Sequence, residues 1–534
     1  MHRAGLYKKL AVAARCLAKV GGRRSKVEGR RSKVEGRRSK VGGRTPAATG
    51  SGGLKTRVGL VQSTRLRIDL PELPPGQARG APITIDFEGR ALPAFQGQPV
   101  AVALFAAGVK VLGRSSKYHR PRGLFCLEGH CASCYLRIDG RPNRRACMTP
   151  ARAGLRCERQ NAFPSVDVDL LRAADWLFPE GMDHHTLMTD TRLGNRLFLK
   201  LVRQMGGSGT LPDHPAREAT GAESSGETRV ETCDLCVVGG GPAGLVAART
   251  FAEATPGARV LLFDEQAAAG GSLLAQPGGS ARGAALAADA RRAGVRLTGD
   301  ATAIAFFPED LGGVLAVVTA TGLRRIQARR YLYATGAYDQ NLSFADNDRP
   351  GIVSARACGR LAFHFGVRPV PANRRVVVLA TTATTGAAVL AAALNAAGVE
   401  AELLEVGGPD QRVLGARGTQ TVRGLQIACR RRDESNERDP DAGVETRVVV
   451  ADLVAVAAVP APASELARQH GAEVILDPSK GGFAVTVDDQ FRTSAAGVYA
   501  CGDVTGFAGS AAAARAGEAA GRAIAAEPRA DRAR

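Results

Sequence analysis

Leu235-Cys236-Val237-Val238-Gly239-Gly240-Gly241-Pro242-Ala243-Gly244-Leu245-Val246-Ala247-Ala248 decides the fold of this chain. Four apolar residues read as a buried strand, and the run of helix formers after Gly244 reads as a helix. Between them, Gly239-x-Gly241-x-x-Gly244 is a dinucleotide fingerprint in its required context. The first glycine permits the tight turn, the second lets backbone N–H groups approach a pyrophosphate, and the third lets helix and strand pack closely. The helix N-terminus then meets the phosphates with unpaired N–H groups. Gly239, Gly240, Gly241, Ala243 and Gly244 are the candidate binding residues of the turn. A second strand, Val260-Leu261-Leu262-Phe263, ends at Asp264-Glu265. That is about twenty residues past the last glycine, where a ribose-binding carboxylate is expected, and Glu265 is the candidate. A tight turn that binds nothing is the alternative; strand, helix, second strand and acid in register argue against it.

At 534 residues the chain has room for three or four domains, and 45% hydrophobic with 23% charged residues is the balance of an ordinary globular protein. The net charge of +21 is concentrated: residues 1–60 hold 17 Lys/Arg against 2 Asp/Glu. The body is near neutral, so no nucleic-acid partner is expected for it. Three near-copies of Gly-Arg-Arg-Ser-Lys-Val-Glu lie between Gly22 and Lys40, and residues 1–65 read as a disordered basic arm. Arg15 and Lys19 interrupt any secretory apolar region. An organellar presequence, a nucleic-acid arm or a start codon placed too far upstream all fit such a stretch. Eleven scattered cysteines argue against a secreted disulfide framework, and a cytoplasmic location is expected.

Residues 80–165 form the first domain. Ile83–Phe87 and Leu92–Phe95 read as a hairpin and Val100–Ala107 as a helix. Then comes Cys126-x4-Cys131-x2-Cys134-x12-Cys147. The first three cysteines have plant-type [2Fe–2S] spacing, in which one loop wraps the cluster and a distant cysteine closes it. Tyr135 to Pro142 reads as strand then turn, able to carry Cys147 back. Zinc also takes four thiolates, but its sites usually pair two short CxxC knuckles and only one is present here. Cys157 reads as buried filler, and Cys233-x-x-Cys236, in a strand and away from any helix N-terminus, as structural. Residues 166–228 read as a helical segment and Gly/Ser/Thr-rich linker; His184-His185 has no third ligand at short range.

Gly271, in Gly270-Gly271, is a further candidate for close backbone approach to a cofactor. Arg374–Val406 repeats the strand–turn–helix–strand plan. Val376–Val399 carries no charge for 24 residues, yet its threonines and βαβ break argue for a buried unit and against a membrane span. Its turn, Ala380-x-Thr382-x-x-Thr385, has none of the three glycines, which the fold can survive and close pyrophosphate approach cannot. Val485–Asp488 and Gly497–Ala500 read as strands, and Ala511–Ala526 as the helix that ends the first sheet.

Ala334-Thr335-Gly336 and Tyr499-Ala500-Cys501-Gly502-Asp503, taken with the fingerprint, resemble the two-dinucleotide-domain flavoprotein reductases. That resemblance implies FAD at 239–244, with Asp503 bonded to its ribityl–phosphate region. Gly113 to Gly123 is similar to the alpha subunit of heterotetrameric sarcosine oxidase. Gly140 to Cys147, with the upstream cysteines, resembles the small iron–sulfur subunit of hydrogen cyanide synthase and related amino-acid and opine dehydrogenases. The resemblance covers roughly residues 80–530. The chain stops at Arg534, without the aminomethyltransferase-like half of the former or the cysteine-rich tail common in the latter. The fold class expected is an α/β two-dinucleotide-binding-domain flavoprotein preceded by a β-grasp [2Fe–2S] domain. FAD-binding segments at 229–349 and 464–528 flank a degenerate NAD-type domain at 350–463. The resemblance implies an electron-transferring subunit with FAD and a [2Fe–2S] cluster held by Cys126, Cys131, Cys134 and Cys147. Its partner would be an amine-oxidising flavoprotein subunit acting on sarcosine, proline, glycine or opines. A self-contained NAD(P)H-dependent reductase and an assembly subunit with structural FAD are the alternatives. No nucleophile or acid/base pair stands out, so no catalytic residue is named.

Overall fold

Ile83, Ile85 and Phe87 alternate with polar residues, which turns all three to the inner face of β1 (Pro82–Phe87). β2 (Arg90–Phe95) returns antiparallel, Ile85 opposite Leu92. The computed structural model of the chain describes residues 80–177, 191–205, 212, 230–308, 313–381, 386–408, 411–430 and 444–527. The basic arm, His184-His185, most of the linker and the Thr382–Thr385 turn lie outside the described residues. Around β1, the strands β3 (Tyr135–Ile138), β4 (Arg141–Arg145) and β5 (Arg156–Glu158) complete a mixed sheet in the order β2-β1-β5-β3-β4. All seven residues of α1 (Val100–Ala106) are buried in the same core. One helix against a mixed five-stranded sheet is the β-grasp arrangement. Cys157 in β5 is fully buried there, and burial pushes its thiol up to about 12.

The fingerprint strand is longer than its apolar run: β6 spans Val230–Val238. α2 (Pro242–Ala254) and β7 (Val260–Phe263) follow, then α3 (Gly279–Arg292), β8 (Arg296–Thr298), β9 (Thr302–Phe307), β10 (Val314–Thr319) and β11 (Gly322–Tyr333). The sheet runs β8-β7-β6-β11-β10-β9. β8, β7, β6 and β11 are parallel, and β10 and β9 are antiparallel additions. Leu235, Val237, Leu245 and Leu262 are wholly buried between strands and helices. Each contributes about 1.5–3 kcal/mol by leaving water. Cys233 and Cys236 are buried on the opposite side of the sheet, free of any disulfide.

The chain leaves at Ala337–Tyr338 and returns at Ala461–Pro462, the two crossings paired antiparallel. Between them lie β12 (Ile352–Ser354), α4 (Ala355–Gly359), β13 (Val376–Thr381), α5 (Gly386–Ala396) and β14 (Ala401–Val406). Then come β15 (Gln411–Gly418), β16 (Val422–Arg430), β17 (Val444–Val450) and β18 (Leu453–Ala457). β12-β18-β13-β14 form a parallel sheet, and β15–β17 an antiparallel one packed on it through Leu425, Ile427 and Val449. The uncharged stretch from Val376 is thus a strand and an 11-residue helix; no helix among the described residues is long and apolar enough to cross a membrane.

Past the insertion, β19 (Val474–Asp477) pairs with β20 (Gly482–Val485), so the strand expected at Val485–Asp488 lies earlier. Val485 ends it, and Asp488 instead accepts from Arg492 in a turn. β21 (Val498–Ala500) rejoins the first sheet beside β11, and α6 (Ser510–Ala526) packs along α2.

Candidate functional site

Gly239 leaves β6 with φ +111°, and a Cβ there would stand 2.2 Å from the Ala334 carbonyl oxygen. Gly244 is tighter: its Cβ would meet the Gly239 oxygen at 1.9 Å. Both contacts are with backbone, which cannot give way. No side chain caps α2, whose N-cap is Gly241 and whose first residue is Pro242, and Gly241, Pro242 and Ala243 of this uncapped end line the cavity beside the turn. Gly271, with φ +53°, packs its Cα against Gly241, so its smallness serves the turn as well as the cavity both residues line. Ala243 is buried, and side chains at Gly502 or Gly517 would collide with it.

The two acids after β7 divide their work. Asp264 is half-buried; its carboxylate accepts from the Gly240 and Gln266 N–H groups, and desolvation pushes its pKa up to about 6. Both acids line the cavity, and Glu265, whose carboxylate is not tied up by the turn, is the one a ribose hydroxyl would reach. Asp503, also on the cavity wall, accepts the Ala508 N–H at 3.2 Å, and burial raises its pKa. The cavity measures about 480 Å³. A glycine cradle, an open helix N-terminus and a carboxylate at each end fit a dinucleotide.

The thiols also converge. β3 and β4 pair Tyr135 with Arg145, which brings Cys134 and Cys147 into contact. Cys126 touches Cys131 and Cys147. Hydrogen bonds from Cys131 and then Cys147 hold the Cys126 thiol far below its ordinary value. Cys126, Cys134 and Cys147 are buried and Cys131 half-buried. Leu127 (φ +56°), Gly129 (φ +91°) and Ala132 (φ +56°) curl the loop around them. Among the described residues no three His, Cys, Asp or Glu side chains gather as a group to hold one metal ion. The four thiols touch in a chain, Cys131–Cys126–Cys147–Cys134, and four converging sulfur donors are the ligand set of a [2Fe–2S] cluster.

The same loop faces the dinucleotide cavity with its other side chains. Glu128 is buried against Arg360 in an ion pair, and both line that cavity. His130 Nε2 lies 2.9 Å from Glu265, and its ring rests on Tyr338 at 4.5 Å. Burial works against a charged His130, but the hydrogen bond and charge of Glu265 outweigh it and raise its pKa. Gln266 Nε2 donates to the Glu128 carbonyl at 3.2 Å. On the far wall, Arg356 donates to Asp339 and to the Ala337 carbonyl, while Ser354 donates to Asp339 at 2.6 Å. Glu128, His130, Arg356 and Arg360 were not singled out in the sequence. Glu128-Gly129-His130 inside the four-residue cysteine gap, and two arginines four apart, were the signals available.

A family model for the 2Fe-2S iron-sulfur cluster binding domain matches residues 80–162, and one for pyridine nucleotide-disulphide oxidoreductase matches residues 233–523. Sarcosine oxidase subunit alpha of Rhizobium meliloti (strain 1021) is 30% identical over 448 residues, 76% of this chain and 42% of that protein. Hydrogen cyanide synthase subunit HcnA of Pseudomonas aeruginosa is 40% identical over 81 residues, 15% of this chain and 77% of that protein. L-proline dehydrogenase from P. horikoshii has the same fold, with TM-score 0.60 at 19% identity, over 86% of this chain and 74% of that one. The chain spans less than half the length of the sarcosine oxidase alpha subunits it matches.

Proposed function

Because the chain belongs to the pyridine nucleotide-disulphide oxidoreductase family, we propose for it the electron-transferring role in an amine- or amino-acid-oxidising assembly. It is an oxidoreductase of two cofactors, FAD and a [2Fe–2S] cluster. The observation that carries the role is the shared loop: residues between Cys126 and Cys131 form part of the wall of the dinucleotide cavity. When bound, FAD exchanges two electrons and the cluster one. Cys126, Cys131, Cys134 and Cys147 hold the cluster. Gly239, Gly240, Gly241, Ala243, Gly244 and Gly271 bring backbone to the dinucleotide, and Glu265 and Asp503 accept from its hydroxyls. The Glu128–Arg360 and His130–Glu265 pairs fix the distance between the two sites.

Substrate oxidation belongs to a partner flavoprotein subunit, consistent with relatives that are themselves named as subunits. Sarcosine, proline, glycine and opines are the substrate classes. The isolated protein, mixed anaerobically with that panel, is expected to keep its flavin band; adding an amine-oxidising partner should bleach it with one of them. Full reduction by any of the four without a partner would place the active site in this chain. One observation favours a second reading, that of an NAD(P)H-dependent reductase. A cavity of about 540 Å³ lies between the two nucleotide domains, with Arg356, Leu390 and Phe507 in its wall. Reduction by NADH separates the two.

A further inference from the structure

Arg360 follows α4 and opens a π-helical turn (Arg360–His364). Its backbone is pinned, because a Cβ on the preceding Gly359 would stand 2.2 Å from the Ala275 carbonyl oxygen. The side chain is 4% exposed and enters the dinucleotide cavity. One terminal nitrogen meets Glu128 and donates to the Gly271 carbonyl at 3.2 Å. The Nε–H is buried and has no hydrogen-bond partner. A buried charged donor left without an acceptor costs free energy, and such groups in a cavity wall point to a ligand atom.

The place of that donor says which ligand atom. Gly271 packs against Gly241, the N-cap of α2, so the guanidinium and the positive end of α2 approach one region of the cavity. Two converging sources of positive potential, with free N–H groups on both, suit an anion. We propose that Arg360 is a binding residue for the diphosphate of the bound dinucleotide, donating through its guanidinium, with Glu128 of the cysteine loop holding it in position. This rests on the dinucleotide reading above. It also implies that the cysteine loop sets dinucleotide affinity, because the arginine's anchor is supplied from there.

The test uses the full chain freed of flavin, titrated calorimetrically with FAD, NAD⁺, ADP and riboflavin. Arg360→Gln is expected to weaken ADP, and whichever dinucleotide the native protein takes, by about tenfold or more, as loss of a charge-assisted hydrogen bond does. Riboflavin, which has no phosphate, should bind unchanged, and Arg360→Lys should recover part of the loss. Arg360→Gln leaves Glu128 buried without its partner, so the double variant with Glu128→Gln is measured beside it. Persistently weak diphosphate binding in the double variant supports the contact. Recovery of FAD affinity there would trace the loss to the stranded carboxylate and overturn the proposal, as would unchanged ADP affinity in Arg360→Gln or an equal loss for riboflavin. A native protein that binds neither dinucleotide would remove the premise instead.

Discussion

β6–α2–β7 and β13–α5–β14 are one strand–helix–strand plan written twice, with the glycines confined to the first. In the first unit a Cβ on Gly244 would stand 1.9 Å from backbone oxygen, and Gly239 has a left-handed φ. In the second, Gly386 at the start of α5 has nothing within 4 Å of where a Cβ would go. The first unit follows its second strand with a half-buried carboxylate that accepts the Gly240 N–H; β14 runs out into Gly407. Apolar strands and an alanine-rich helix are therefore enough to build the unit. Binding a diphosphate asks more, since bare backbone must stand at fixed points of the turn.

Gly244→Val should be the most damaging single change. With backbone on both sides of the contact, helix and strand must separate, at a cost of about 3 kcal/mol, and flavin should be lost on purification. Retained FAD with an unchanged melting temperature would break the comparison. Cys131→Ser comes next: the visible bands of the cluster should vanish while flavin content holds, because thiolate ligation and the glycine turn are separate constructions. Metal analysis of the native protein should find iron and acid-labile sulfide; stoichiometric zinc without sulfide would contradict this. A smaller effect is expected of pyridine nucleotides. The sequence of the second turn offers Thr382 and Thr385 in place of the glycines a pyrophosphate requires, so NADH and NADPH should reduce the flavin slowly or not at all. Rapid anaerobic bleaching by micromolar NADH would sink that expectation. The least effect belongs to Gly386→Ala, which should raise stability by less than about 1 kcal/mol and leave both cofactors in place. Loss of either cofactor would mean the second unit does more than support the fold.

Much of the molecule was legible because its elements carry local signals. The alternation of Ile83–Phe87, the cysteine spacing and the glycine turn each state their geometry within a few residues. The misplaced elements lacked such signals. β6 begins five residues before its apolar run, where Glu231 is paired with Arg259 just ahead of β7, Arg296 of β8 and Arg324 of β11, a charge network that masks the strand in the sequence. β20 was shifted because Phe483 is half-exposed and the register is set by pairing with Leu476, not by burial. Glu128 and His130 were illegible for a different reason. Their partners, Arg360 and Glu265, lie far along the chain, and only the folded domains bring them together.

In the proposed role, one loop joins a two-electron site to a one-electron site closely enough for electrons to pass. The most direct measurement is anaerobic photoreduction of the isolated, fully loaded protein by less than one electron equivalent per molecule, read by flavin absorbance and by the EPR signal of the reduced cluster. Electrons delivered at the flavin by a light pulse should appear on the cluster within the time resolution of the measurement, and Arg360→Gln/Glu128→Gln, which removes the ion pair between the sites, should slow their arrival. Electrons that all stay on the flavin beside a cluster that remains oxidised, yet is reducible by dithionite, would contradict this.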